Sequence, residues 1–201
     1  MIKKEVSYIN DVVLIGTLER PFEYEHNVGS SRVFSSFLLV RKHAIVNRIP
    51  VSISENMLRN INTEIFDGKI KVKGYIISFT VKGNLSVSVR ITEDIVSVDE
   101  STDDVSCVKM SGVVCKKPEL REKKDGKQVC NYMIRSRTPN GNETYMPVVA
   151  WGALATTTSK FKLHSTTSLT ARFHSRKYVE SIANGVVKEK EVYELYLIRL
   201  R

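Results

Sequence analysis

The chain has 201 residues, of which 42% are apolar, with 31 Lys and Arg against 22 Asp and Glu and a formal net charge of +9. That length allows one large or two small domains, and that apolar content supports packed cores and argues against disorder. No stretch approaches the roughly 18 apolar residues of a membrane span, and the opening Met1-Ile2-Lys3-Lys4 has no apolar segment behind it, so a soluble, unsecreted protein is expected.

Cys107, Cys115 and Cys130 are an odd set whose spacings match neither a disulfide framework nor paired metal ligands. Buried apolar packing in a reducing cytoplasm is their expected role. The charge is unevenly placed. Residues 1–100 hold 13 Lys/Arg and 12 Asp/Glu, whereas residues 101–201 hold 18 and 10. A basic second half with interleaved aromatics points to a polyanion as partner.

Taken from the N-terminus, the chain reads as short β-rich runs between turn residues, and the runs occur twice. Val12-Val13-Leu14-Ile15-Gly16 is echoed by Val108-Lys109-Met110-Ser111-Gly112. Arg48-Ile49-Pro50-Val51 is echoed by Tyr145-Met146-Pro147-Val148, and the run from Ile70 to Ile76 by the run from Thr167 to Phe173. Two copies of one fold are expected: a degenerate domain over 1–97, an acidic, aperiodic linker over 98–106, and a second domain over 107–201. In the second copy the runs are about Cys107–Cys115, Lys127–Arg137, Glu143–Trp151, Thr167–Tyr178 and Glu191–Arg199. One weak helix follows the third run, poor by propensity because Thr156-Thr157-Thr158 is β-branched. This is an all-β pattern. Two tandem OB-type five-stranded Greek-key barrels, each with one short helix, are the natural architecture.

The third run of the second copy carries the only tryptophan. Alternation places Met146, Val148 and Ala150 on one side and Tyr145, Pro147, Val149 and Trp151 on the other, a small apolar face inward and rings outward. In the fourth run Leu169, Ala171 and Phe173 alternate with Arg172, His174, Arg176 and Tyr178, with Lys177 beside the last. In the second run Tyr132 and Ile134 alternate with Asn131, Met133, Arg135 and Arg137. Three polar faces thus converge on one surface, where rings can stack on bases and cations can meet phosphates. Lys123, Lys124 and Lys127, in the polar loop after the first run, are candidate phosphate contacts, and the polar stretch Ser181 to Lys190 is expected to be a mobile hairpin tip. The first copy lacks this platform. Ser54 stands where Trp151 does, Arg48 where Tyr145 does and Val81 where Tyr178 does. Its fourth run instead offers Tyr75, Ile77 and Phe79, an apolar row expected to form a protein interface.

Four blocks of the second copy, in order, resemble the bacterial single-stranded DNA-binding protein family: Gly112 with Lys117-Pro118-Glu119-Leu120-Arg121, Gly126 to Tyr132, Val148 to Ala155, and Ser175 to Tyr178. The first copy is similar only through Gly16, Pro21 and Lys73-Gly74-Tyr75. The resemblance implies a tandem version of that fold, with bases stacking on Trp151, Tyr178 and Tyr145. It implies sequence-tolerant single-stranded DNA binding in replication, recombination or repair, in the cytoplasm at the nucleoid. It also implies assemblies of four barrels, which with two per chain means a homodimer. The chain departs from the family in ending Leu197-Ile198-Arg199-Leu200-Arg201 without an acidic tail, in His164-Ser165-Thr166-Thr167 at a turn that normally holds glycine, and in Ala171. Recruitment of replication proteins would not run through such a tail. Two rivals stand beside this reading: an RNA-binding OB protein, and a protein-interaction module of the primosomal or phage accessory kind.

Catalysis is not expected. His26, His43, His164 and His174 show no metal-binding spacing and no recurrent carboxylate partner, and no phosphate-binding glycine loop is present. No cofactor and no metal are implied.

Overall fold

The computed structural model of the chain describes residues 8–81, 83–181 and 187–201. Met1 to Lys4 and the centre of the hairpin expected between Ser181 and Lys190 lie outside the described residues. The first copy folds as β1 (Asn10–Leu18), β2 (Glu23–Val28), β3 (Ser31–Lys42), β4 (Ile45–Ser54), the helix α1 (Glu55–Arg59), a 3-10 turn at Thr63–Asp67, β5 (Lys69–Val81), β6 (Asn84–Ile91) and β7 (Val96–Ser97). The second follows as β8 (Val105–Glu122), β9 (Gln128–Arg137), β10 (Glu143–Trp151), α2 (Ala153–Thr158), β11 (Thr166–Ser181) and β12 (Val187–Leu200).

Each copy closes into a barrel by the same pairings. β1 pairs with β3 and β5, β3 with β4, β4 in parallel with β6, and β6 with β5. In the second copy β8 pairs with β9 and β11, β9 with β10, β10 in parallel with β12, and β12 with β11. This is the expected tandem OB-type topology. β9 and β10 keep their expected bounds to within a residue, whereas β8 runs on to Glu122, well past the expected end at Cys115, and β11 and β12 are three to four residues longer toward their shared hairpin. One difference is informative. The break at Pro21 that separates β1 from β2 corresponds in β8 to an uninterrupted strand whose register shifts between Lys116 and Glu119. Pro118, which has no N–H to give to a ladder, sits within that irregular stretch.

α2 forms despite its threonines, whose hydroxyls are satisfied by bonding back into the helix. Thr157 Oγ1 donates to the Ala153 carbonyl at 2.9 Å and Thr158 Oγ1 to that of Leu154 at 2.8 Å. Phe173 is fully buried, as its parity requires, and Phe161 packs edge-on against Tyr132 with 5.8 Å between ring centroids. Of the three cysteines only Cys130 is buried. Cys107 and Cys115 are half-buried, a correction to their expected place in the core, since both fall on strand positions whose outer side is partly open.

The barrels are joined through their first strands. β1 runs antiparallel to β8 from Asn10 opposite Met110 to Ile15 opposite Val105, and Val12 lies opposite Val108, its own counterpart in the repeat. A pseudo-two-fold axis therefore passes between these valines. Hydrogen bonds repeat across it. Ser78 Oγ on the first barrel accepts the Tyr145 N–H at 2.7 Å, and Ser175 Oγ on the second accepts the Arg48 N–H at 2.8 Å. The buried residues of both barrels form one continuous apolar core.

Strand β8 begins at Val105, inside the stretch expected as linker, and the residues before it are tied down. The Asp104 carboxylate pairs with Lys69 Nζ at 3.0 Å and accepts the Arg41 N–H at 2.7 Å, while Glu100 accepts the Lys69 N–H at 2.8 Å. Arg48 is bound in the same junction. It chelates Glu19, reaches Glu191 of the second barrel at 3.0 Å and lies 3.2 Å over the Phe37 ring. Its hydrogen bonds hold the Glu19 carboxyl below the usual carboxylate range.

Two equivalent glycines mark close strand approaches, and a third, Gly74 against the Arg90 carbonyl oxygen, is tighter still. A Cβ on Gly16 would lie 2.2 Å from the Leu39 carbonyl oxygen, and one on Gly112, its counterpart, 2.5 Å from that of Arg135. Backbone cannot withdraw there without opening the barrel. Gly112→Ala is expected to lower stability by about 2–3 kcal/mol in urea denaturation, and Gly16→Ala by a similar amount. A change below about 0.5 kcal/mol at both would show that the strands yield.

Candidate nucleic-acid interface

Strand β10 turns Tyr145, Pro147 and Trp151 outward, while Val149, on the same side by parity, is buried beneath its neighbours, a correction to the open face that alternation suggested. The register extends that face sideways. Val149 lies opposite Asn131 of β9 and Tyr196 of β12, and Tyr196 opposite Arg172 of β11. The chain can hold a large ring at the end of β10 because Gly152 follows it with φ 57°, turning the backbone into α2 without needing a side-chain cap.

Three rings meet across these strands. Trp151 and Tyr196 have centroids 6.3 Å apart at 60°, and Tyr196 and His174 lie 4.0 Å apart at 32°, close to stacked. All three are half-buried. From the β8–β9 hairpin Lys123 brings its ammonium 4.7 Å from the Trp151 ring. Arg172 is exposed beside Tyr196, and among the described residues no carboxylate pairs with Arg172, Lys123 or Lys124. The result is one row: Lys123, Trp151, Tyr196, His174, Arg172.

Tyr196 was not among the residues expected from the sequence. Its signal was present in the alternation of β12, where Leu195 and Leu197 are buried and Glu194 and Tyr196 turn outward.

The remaining expected residues fall elsewhere on or around this face. Tyr178 is half-buried further along β11, with the Arg176 guanidinium 5.8 Å from its ring. Arg176 itself is held by both oxygens of Glu194, at 3.1 and 3.3 Å. Lys177 has the opposite parity from Arg176 and Tyr178, which puts it on the other side of the β11–β12 ribbon, where it pairs with Glu189 at 3.4 Å. Lys127 pairs with Asp125 at 3.0 Å. Tyr145 and Arg135 form a separate group near the first barrel, since the Tyr145 hydroxyl donates to Glu143 at 2.7 Å and Arg135 pairs with the same carboxylate at 2.9 Å. Arg137, whose guanidinium lies 5.4 Å from the Tyr8 ring, is eight positions from the level of Trp151 along β9, roughly 26 Å away.

The matching face of the first barrel has a different character. Tyr75 lies opposite Arg90 as Arg172 lies opposite Tyr196, and Ser54 ends β4 as Trp151 ends β10. Ser54 is the N-cap of α1, its hydroxyl accepting the Met57 N–H at 3.4 Å, so the position serves the helix. Tyr75, Ile77 and Phe79 line a cavity of about 630 Å³ together with Asn140 and Asn142 from the β9–β10 loop of the second barrel. Only Phe79, at 43%, is exposed; Tyr75 and Ile77 are half-buried, a correction to the fully exposed row that alternation suggested.

No protein-family model and no curated protein matches this chain. Among solved structures, a deletion mutant of the single-stranded DNA binding protein from Thermus aquaticus is similar over 96% of this chain and 94% of that one, with a TM-score of 0.76 and 17% identity. The wild-type protein from the same organism is similar over 96% and 92%, with a TM-score of 0.73 and 17% identity. The likeness is one of fold, and it covers both barrels together.

Burial holds the His174 pKa below the ordinary histidine value, with Arg176 and Arg172 pushing the same way and Glu194 opposing. The imidazole is therefore neutral at pH 7, as a ring stacked on Tyr196 should be. Because the folded value lies below the unfolded one, the unfolded chain takes up the proton first. The stability contributed by neutral His174 is full above about pH 6.5 and declines as pH falls through the folded value. His174→Asn is expected to flatten that part of the pH–stability curve, read by thermal melting. An unchanged curve would mean that His174 titrates as in the unfolded chain.

Proposed function

We propose that the second barrel binds single-stranded DNA with little regard to sequence, bases stacking on Trp151, Tyr196 and His174 while Arg172, Lys123 and Lys124 meet the phosphates. The observation that carries this is the row itself: three half-buried rings in contact across β10, β12 and β11, flanked by cations that no carboxylate of the described residues neutralises. Rings arranged so accept the faces of unpaired bases, which a duplex hides inside its stack. The whole-chain structural neighbours are single-stranded DNA binding proteins by name, which favours DNA within the nucleic-acid class. Tyr178 extends the path along β11, and Tyr145, Arg135 and Arg137 lie where a longer strand would cross toward the first barrel. Service in replication, recombination or repair follows from that substrate.

The first barrel is proposed to serve assembly. Its counterpart face has Ser54 for Trp151 and presents the exposed Phe79 in one cavity with the exposed Val28, an apolar surface suited to a second copy of the chain. A homodimer would then hold four barrels.

Trp151 is the lone tryptophan, so its fluorescence reports one place. Oligo-dT is expected to quench it strongly and duplex DNA weakly, with log K falling against log salt by about 0.7 per phosphate neutralised. Trp151→Ala should weaken oligo-dT binding by about 1–3 kcal/mol. No quenching and no gel shift with oligo-dT would refute the reading, and tighter binding to oligo-U would move it to RNA. The double variant Tyr75→Ala, Phe79→Ala is expected to leave oligo-dT affinity within about twofold (~0.4 kcal/mol) while lowering the mass measured by light scattering. A loss of affinity equal to that of Trp151→Ala with assembly intact would reverse the division between the barrels.

A further inference from the structure

The pseudo-two-fold arrangement carries the β3–β4 hairpin of the first barrel onto the outer face of the second. At its tip His43 takes a left-handed conformation, φ 52°, and beyond it Ile45 is 54% exposed. Between this tip and strands β11 and β12 lies a cavity of about 360 Å³. One wall is the stacked pair Tyr196 and His174, the same rings that end the platform. The other is the hairpin, with Ile45 among its apolar side chains, and Arg41 and Arg172 are also in the lining. Asp104, pinned by Lys69 and the Arg41 N–H, contributes a carboxylate.

We propose that this cavity is a slot for one unpaired nucleobase of the strand bound on the platform, so that the first barrel takes part in binding through its β3–β4 hairpin. The proposal rests on the single-stranded DNA reading above and deepens it. Size, chemistry and continuity agree. A volume of about 360 Å³ is at the small end of ligand pockets and enough for a nucleoside. A flat aromatic wall facing an aliphatic one suits a planar base. The Asp104 carboxylate is offset by Lys69 at 3.0 Å, and Arg41, Lys42 and Arg172 in the lining attract the phosphates on either side of the inserted base. Because Tyr196 belongs both to the platform and to the slot, a strand stacked on Trp151 is led into it.

The test is photo-crosslinking of the full chain to oligo-dT that carries a single 5-iododeoxyuridine, moved one position at a time, with the adducts mapped by peptide mass spectrometry. Adducts in the hairpin over residues 41–45, or at Tyr196 or His174, are expected at one or two positions of the label, with Trp151 labelled from others. Adducts at Trp151 and none at the hairpin, Tyr196 or His174 would overturn the slot and leave the platform standing. No adduct anywhere, with no binding, would overturn both. Ile45→Asp, at an exposed position, is expected to weaken oligo-dT binding about five- to tenfold at low and at moderate salt, with Trp151 still quenched at saturation. Unchanged affinity, or a loss that disappears at moderate salt and so reflects charge repulsion alone, would refute the slot.

Discussion

The antiparallel pairing of β1 with β8 is the contact on which the rest of the molecule depends. A first strand with a free edge presents unpaired N–H and C=O groups, and here each barrel covers the edge of the other with its own counterpart strand. Because Val12 meets Val108, the repeat relation in sequence becomes a rotation in space. That rotation brings Ser78 to the Tyr145 backbone and Ser175 to that of Arg48, and it carries each barrel's second hairpin onto its neighbour's face. Covalent linkage of two barrels would not by itself do this. The acidic segment between them, tied to Lys69 and Arg41 through Asp104, reinforces one arrangement of the seam.

On this symmetric scaffold the two faces have diverged by single residues at equivalent positions. At the end of β4 a serine caps a helix, whereas at the end of β10 a tryptophan stands over a glycine turn. Arg48, at the position of Tyr145, is drawn inward by Glu19 and Glu191 and so becomes part of the junction. Arg90 occupies the place of Tyr196. None of these exchanges alters strand pairing, because each lies on the outer parity of its strand. A fold closed by inner residues leaves its outer face free to change, and among the described residues the Trp151, Tyr196 and His174 row has no counterpart on the matching face of the first barrel.

Much of the fold was legible in the chain because strand alternation is local: period-two patterning placed Met146, Val148, Leu169 and Phe173 inside and Trp151, Arg172 and His174 outside. The two glycines at close strand approaches belong to the repeat that revealed the tandem organisation. What alternation does not contain is which charges find partners, since that depends on how turns and neighbouring strands bring them together. Arg135, Arg176 and Lys127 look as free as Arg172 in the chain, yet Glu143, Glu194 and Asp125 hold them. Lys177 sits beside Tyr178 in sequence and behind it in space. Tyr75 and Ile77 read as exposed because the loop that shares their cavity comes from the other barrel. Tyr196 was within reach of the same parity argument that found Trp151, and only its position among the charged residues of the last run obscured it.

The pairing of those cations bears on how the face can work. A cation already bound to a carboxylate must lose that partner, or share it, before it neutralises a phosphate. Its contribution to salt-dependent binding is therefore smaller than that of a free one. Counting every basic residue near the platform thus overstates the electrostatic part of binding, and Arg172, Lys123 and Lys124 remain as its main unpaired cations. The aromatic row carries no such offset: its rings are already in contact, already partly desolvated and, with His174 neutral, uncharged. A surface built this way should depend more on stacking than its net charge suggests. On the proposed reading, the charge of the second half would serve chiefly to draw a polyanion to a face whose rings hold it.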